Sequence, residues 1–174
     1  MAAEPIGQST PMPGTMEIVL RPFHPGDMDG LYFLDRHCHD SERRIAYGRM
    51  LNTMLEKDIT AIVAAEAQPG LSETIAGAMI IRSEPWHGRL NLLVLMVHPD
   101  FRRLGIARRL VSWAGRIGCG SGFRELAIAQ NDGPQFSDIL QGLGFRREEQ
   151  VVHSYRDGID VPLWVRSISP AEGL

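Results

Sequence analysis

Cysteine is scarce: Cys38 and Cys119 are the only two in 174 residues. Two thiols make no disulfide framework and no signal peptide is evident, so the expected compartment is the reducing cytoplasm. No apolar run is long enough to span a bilayer, and no membrane association is expected. Positive charge is not in excess either. The formal net charge is -3, and the arginines gather at one loop instead of lining a face, which argues against a nucleic-acid partner. Metal-ligand spacing is missing as well. His37-Cys38-His39 places its imidazoles at i and i+2, which diverge on a helix, and no second ligand pair follows, so no metal is expected. Internal repeats and a second domain are also absent. What remains is a chain with 44% hydrophobic residues, enough for one sizeable core. Residues 1–15, rich in proline, glycine and small side chains, read as a flexible tail before a single domain at 16–174.

The order of elements follows from periodicity and breakers. Glu17 to Arg21 reads as a strand ended by Pro22 and His24-Pro25-Gly26. Asp27 then caps a helix with Leu31, Phe33, Leu34 and Cys38 on its packing side, and a second helix is expected from Glu42 to Lys57. Ile59 to Ala65 and Thr74 to Ile81 read as antiparallel strands joined through Gln68-Pro69-Gly70. Further strands are expected at Leu90–Val97, Glu125–Gln130, Phe145–Tyr155 and Val161–Ile168. Helices are expected at Ile106–Ile117 and from Pro134 to the glycines at Gly142 and Gly144. Gly118 and Gly120 read as a helix stop, because they follow a helix and do not link a strand to one.

Leu90 to Arg109 is the most informative stretch. Leu90–Val97 is nearly all apolar, as suits a strand buried on both faces, and His98-Pro99-Asp100 stops it. Arg102, Arg103, Arg108 and Arg109 crowd the entry to the next helix. The N–H groups at a helix start lack intrahelical partners and favour an anion, and Gly105 and Ala107 leave room for its oxygens. The stretch therefore reads as a pyrophosphate cradle.

Arg102, Gly105 and Ala107, placed after a buried strand and Val97-His98-Pro99, resemble the (Arg or Gln)-x-x-Gly-x-(Gly or Ala) loop of the GNAT-type N-acetyltransferases. The resemblance implies an α/β (α+β) GNAT fold: a mixed central sheet of about seven strands flanked by four helices, in the order β-α-α-β-β-β-α-β-α-β-β across Ile18 to Ile168. Leu34-Asp35-Arg36-His37-Cys38-His39, Leu143-Gly144-Phe145 and Tyr155-x-x-Gly-x-Asp further resemble the ribosomal-protein alanine N-acetyltransferase branch. The Leu-Gly-Phe stretch and the acidic residues after it also resemble aminoglycoside 6'-acetyltransferases.

The implied partners are acetyl-CoA as co-substrate and an amine acceptor, in an arrangement that allows a homodimer. By resemblance, Leu95, Met96 and Val97 hold the acetyl and pantetheine part through backbone groups. Arg102, Arg103, Leu104, Gly105, Ile106, Ala107 and Arg108 hold the pyrophosphate, and Asn131 contacts the cofactor arm. A backbone N–H near Val97 becomes the oxyanion donor. The chemistry implied is attack of a neutral amine on the thioester, which also needs routes for protons. There the pattern departs. The family's tyrosine, four residues before the glycine of Leu-Gly-Phe, falls on Leu140, and the branch's strand glutamate falls on Ala127. Glu125 has the same strand parity and is the candidate base. Tyr155 is the other catalytic candidate, with His153, His87 and Glu84 as further acid or base groups. Asp27, Asp29, Asp35, Asp40 and Glu42 make the early helices acidic, either to attract a cationic amine or as a solvated, capping set. Two further readings stay open: a non-catalytic acyl-CoA-binding or sensing module, and an aminoglycoside-type acetyltransferase with an acidic acceptor pocket.

Overall fold

A computed structural model describes residues 17–39, 47–54, 56–67, 74–129, 134–153 and 160–169. The elements run β1 (Glu17–Pro22), α1 (Met28–Cys38), α2 (Tyr47–Met54), β2 (Ile59–Ala67), β3 (Thr74–Glu84), β4 (Arg89–Val97), α3 (Ile106–Gly120), β5 (Glu125–Ala129), α4 (Pro134–Gly142), β6 (Arg146–His153) and β7 (Asp160–Ser167). Seven strands form one sheet in the order β1-β2-β3-β4-β5-β7-β6. Every pairing is antiparallel except β4 with β5. That exception has a cause: α3 carries the chain from the end of β4 back to the start of β5, as a parallel neighbour requires. The expected element order and mixed sheet are therefore present.

Helices cover both faces. On one face Ile106, Leu110, Val111 and Ala114 of α3 and Leu140 of α4 pack against Met79, Leu90, Leu92, Leu126 and Ile128 of the sheet. On the other, Met28, Leu31 and Leu34 of α1 pack against Val63, Ile75, Ala78 and Met96. The middle of β3 is consequently buried on both sides from Ile75 to Ile81. Each fully buried aliphatic side chain contributes about 1.5–3 kcal/mol, so these two layers hold the sheet.

The end of α3 differs from the sequence expectation. Gly118 and Gly120 lie inside the helix, which stops one turn later through a Schellman closure. Phe123 N–H donates to the Gly118 carbonyl at 2.9 Å and Gly122 N–H to that of Cys119 at 3.2 Å. Gly122 supplies the left-handed residue that closure needs, with φ +80. Gly118 serves packing: a Cβ there would stand 2.5 Å from Ile168 Cδ1 and 3.0 Å from Leu90 Cδ1. Close approach to the sheet keeps that glycine helical despite its low propensity.

The start of α1 is tied to β1 by charge. Arg21 donates to both carboxylate oxygens of Asp27 at 2.7 Å, and His24 N–H donates to the same carboxylate at 2.7 Å. The Arg21 hydrogen bonds hold the buried Asp27 carboxyl below the usual carboxylate range, against the opposing effect of burial. A depressed folded-state pKa means the contribution is complete above the unfolded value near ~3.9 and disappears as pH falls through the folded value. Asp27→Asn should cost about 2 kcal/mol, or about 4–8 °C in Tm, at neutral pH. The gap from wild type should narrow in acid, and a gap unchanged by pH in thermal melts would contradict the assignment.

Candidate functional site

The site begins where β4 and β5 part company. Their pairing covers only Arg89 with Glu125, Leu90 with Leu126 and Asn91 with Ala127, although β4 continues to Val97 and β5 to Ala129. One reason lies on the far edge of β4. The β3–β4 register steps between Ile80 opposite Val94 and Ile81 opposite Leu92, so Leu93 is an extra residue. Such a bulge bends and twists its strand. Past it, His98 N–H donates to the Ala76 carbonyl at 2.9 Å. Antiparallel alternation then turns the backbone groups of Val94, Met96 and His98 toward β3, and those of Leu95 and Val97 toward the cleft between β4 and β5. Of the three cofactor-strand candidates, Leu95 and Val97 offer cleft-facing amides, while Met96 is committed to β3.

The turn after β4 leads into a left-handed pair. Arg103 has φ +64 and Gly105 has φ +74, and a Cβ on Gly105 would meet nothing within 4 Å. Gly105 is the N-cap of α3, whose first turn-to-turn bond is Arg109 N–H to the Gly105 carbonyl at 3.0 Å. The N–H groups of Ile106, Ala107 and Arg108 therefore precede any intrahelical acceptor. Ile106 is buried beneath the helix, whereas Arg102, Arg103, Leu104, Gly105 and Arg108 are exposed around its mouth. The start of α3 thus brings together open backbone N–H groups, empty space at Gly105 and guanidinium groups at the rim.

Side-chain anchors hold this turn. Cys38 Sγ and Arg102 Nε both donate to the Val97 carbonyl, each at 3.4 Å. The His98 ring lies 4.9 Å from that of His37 and 5.8 Å from Phe101, with Phe33 4.1 Å from His37. Burial pushes the Cys38 thiol up, with Arg102 and the Val97 hydrogen bond working against it, so at neutral pH it is a protonated donor. The sequence singles out His37 and Cys38 only as metal ligands to be set aside and as part of a branch-like segment, and does not mark Phe33, His37 and Cys38 as anchors of this turn. Their spacing over about 1.4 helical turns was the available signal.

The proton-transfer candidates that fall among the described residues are not gathered there. Glu125 opens β5 opposite Arg89, whose Nε donates to it at 2.8 Å. That is eight residues of β4 before Val97, or about 25 Å of strand. Glu84 and His87 face each other at 3.4 Å beside the β3–β4 connection, at the same remote end. Leu140 is fully buried in the main core. Asn131 and Tyr155, together with the side chain of His153, lie outside the described residues, as does the 1–15 tail. Asp27 is spent on Arg21 and Asp35 on His39, whose Nδ1 is 2.8 Å away. Among the described residues no cluster of three potential metal ligands occurs, and no helix is long and apolar enough to cross a membrane.

Comparison with known proteins bears on what this strand-cleft-helix arrangement belongs to. The family model described as Acetyltransferase (GNAT) family matches residues 17–134, and the chain belongs to that family. A search of curated proteins finds no match. Among solved structures the chain is similar to the ribosomal-protein-S18-alanine N-acetyltransferase of Escherichia coli, at 16% identity and a TM-score of 0.69, covering 88% of this chain and 95% of that one. It is similar to the PaiA N-acetyltransferase of Thermoplasma acidophilum in complex with coenzyme A, at 17% identity and a TM-score of 0.69, covering 87% and 99%. The spermidine/spermine N-acetyltransferase of Vibrio cholerae gives 16% identity and a TM-score of 0.64, covering 88% and 94%. At such identities the likeness is one of fold.

Proposed function

We propose that the protein transfers an acetyl group from acetyl-CoA to a primary amine, on a small molecule or a protein N-terminus. The observation that carries this reading is the early end of β4–β5 pairing, which leaves the amides of Leu95 and Val97 facing a cleft next to the start of α3. Those residues fit the co-substrate. The N–H groups of Ile106, Ala107 and Arg108, with Arg102, Arg103, Leu104 and Gly105, would hold its pyrophosphate, and cleft-facing amides of β4 would pair with its pantetheine arm. Acetyl-CoA supplies an acyl carbonyl activated by a thiol leaving group. The Val97 N–H then serves as a fixed donor to charge developing on the acyl oxygen, a contribution worth about 3 kcal/mol in well-placed examples. Localisation in the cytoplasm belongs to the same proposal.

The test is thiol release. Purified protein with acetyl-CoA and a panel of primary amines should liberate free CoA in an amine-dependent manner, with one acceptor class well ahead of the rest. A second reading has support in the remoteness of Glu125 and the burial of Leu140: an acyl-CoA-binding module without turnover. Tight acetyl-CoA binding with no amine-dependent thiol release would favour that module. The aminoglycoside-type reading is weaker, since Asp27 and Asp35 are taken up by internal partners.

A further inference from the structure

We infer that Cys38 and Arg102 are positioning residues for the cofactor strand, acting together on one carbonyl, that of Val97. This rests on the proposed transfer but brings in Cys38, which lies outside the cofactor motif, and gives the motif's Arg102 a second task. The peptide unit joining Val97 to His98 is held at three points: the His98 N–H on the Ala76 carbonyl at 2.9 Å, and Cys38 Sγ and Arg102 Nε on the Val97 carbonyl at 3.4 Å each. The carbonyl has two lone-pair sites, and two donors fill them. One donor comes from the last turn of α1 and the other from the turn leading to α3. Their shared acceptor lies where β4 has left β5 and no strand can bond it.

Consequences follow for both neighbours of that peptide. With its carbonyl occupied, Val97 presents only its N–H to the cleft, so an acyl oxygen meets a donor without a competing acceptor beside it. Fixing the same peptide also fixes the direction in which the chain leaves β4 toward Arg102 and Gly105. The neutral thiol suits this task, because a thiolate would be an acceptor facing a carbonyl oxygen and would repel it. The ring contacts of Phe33, His37 and His98 hold the two segments together, which keeps the long thiol bond aligned.

The experiment is a double-mutant cycle read by acetyl-CoA affinity and by amide hydrogen exchange. Cys38→Ala should weaken acetyl-CoA binding about three-fold and Arg102→Met, which keeps the length of the side chain but carries no donor, about five-fold, as expected for losing one ordinary hydrogen bond while a second donor remains. The double variant should lose more than the product of the two, because it leaves the carbonyl bare. Cys38→Ser, which restores a donor, should return to within two-fold of wild type. Exchange of the His98 amide in the free protein should quicken several-fold in Cys38→Ala and recover in Cys38→Ser. That exchange needs no cofactor, so it stands even if acetyl-CoA proves not to bind and the proposed transfer fails. Multiplicative losses, unchanged His98 exchange, or a lowered Tm with acetyl-CoA affinity intact in Cys38→Ala would each overturn the inference. If Cys38→Ala does not fold, failure of Cys38→Ser to match wild type in both readouts does so instead.

Discussion

Gly105→Asp should raise the acetyl-CoA dissociation constant at least 100-fold, a loss of about 2.7 kcal/mol, while leaving the protein folded. Both halves of that expectation come from the same position. The Cβ added at Gly105 meets no atom within 4 Å, and the residue is the N-cap of α3. Aspartate tolerates a left-handed backbone better than most side chains, at a cost of roughly 1–2 kcal/mol for φ +74, and its carboxylate would stand at the positive end of α3 beside the N–H groups of Ile106, Ala107 and Arg108. Those are the same N–H groups that a pyrophosphate would need. The substitution thus fills an anion site with an internal anion and repels the external one. Gly105→Ala carries the backbone strain without the charge and should cost less than about five-fold. Arg109→Ala should matter still less: its guanidinium already donates to the Ile18 carbonyl at 2.9 Å, on the opposite side of α3 from the cleft. Calorimetry on the three variants checks the order, and an unchanged affinity in Gly105→Asp would remove the cradle from α3.

The strand-to-helix geometry at Gly105 was legible because three local signals coincide there. An apolar strand, a glycine and an amphipathic helix follow each other from Leu90 onward, and each can be read without tertiary knowledge. The burial on both faces expected of the strand holds only at Leu90, Leu92 and Met96, because the helix layers leave Leu93 exposed and Val94, Leu95 and Val97 partly so. The bulge at Leu93 could not be read that way. Leu92, Leu93, Val94 and Leu95 are all apolar, so no alternation betrays the extra residue that turns Leu95 and Val97 toward the cleft. Glu125 shows a second limit. Strand parity gives the side of a sheet to which a residue projects, but its distance from the cleft comes from the register with Arg89, thirty-six positions earlier in the chain. Gly118 shows a third: a glycine read as a stop is helical because Leu90 and Ile168 leave no room for a side chain. In each case the deciding partner is remote in sequence, which is why the helical and strand periods were readable and the fine placement was not.

Leu140→Tyr should lower Tm by about 3–10 °C without raising the rate, because the position faces the core and not the cleft. Leu140 is fully buried with Phe145 and Trp164 on the side of the sheet that α3 also covers. A tyrosine must push those neighbours apart and then find a partner for its hydroxyl, a combination that costs about 1–3 kcal/mol. No phenol reaches the leaving thiol by this route. With Glu125 engaged by Arg89 at the far end of the strands and Leu140 buried in the core, neither position brings an acid or base to the amides of Leu95 and Val97. Turnover should then rise with pH as the amine loses its proton and show no fall that tracks a phenol near ~10, since a thiol of pKa ~8.5 leaves acceptably as the anion. Glu125→Gln should leave that profile in place and reduce stability only slightly, as a half-exposed ion pair does. A faster Leu140→Tyr enzyme with an undiminished Tm would mean that α4 turns this residue to the thioester in the working state, and the acid-free account of the site would fall with it.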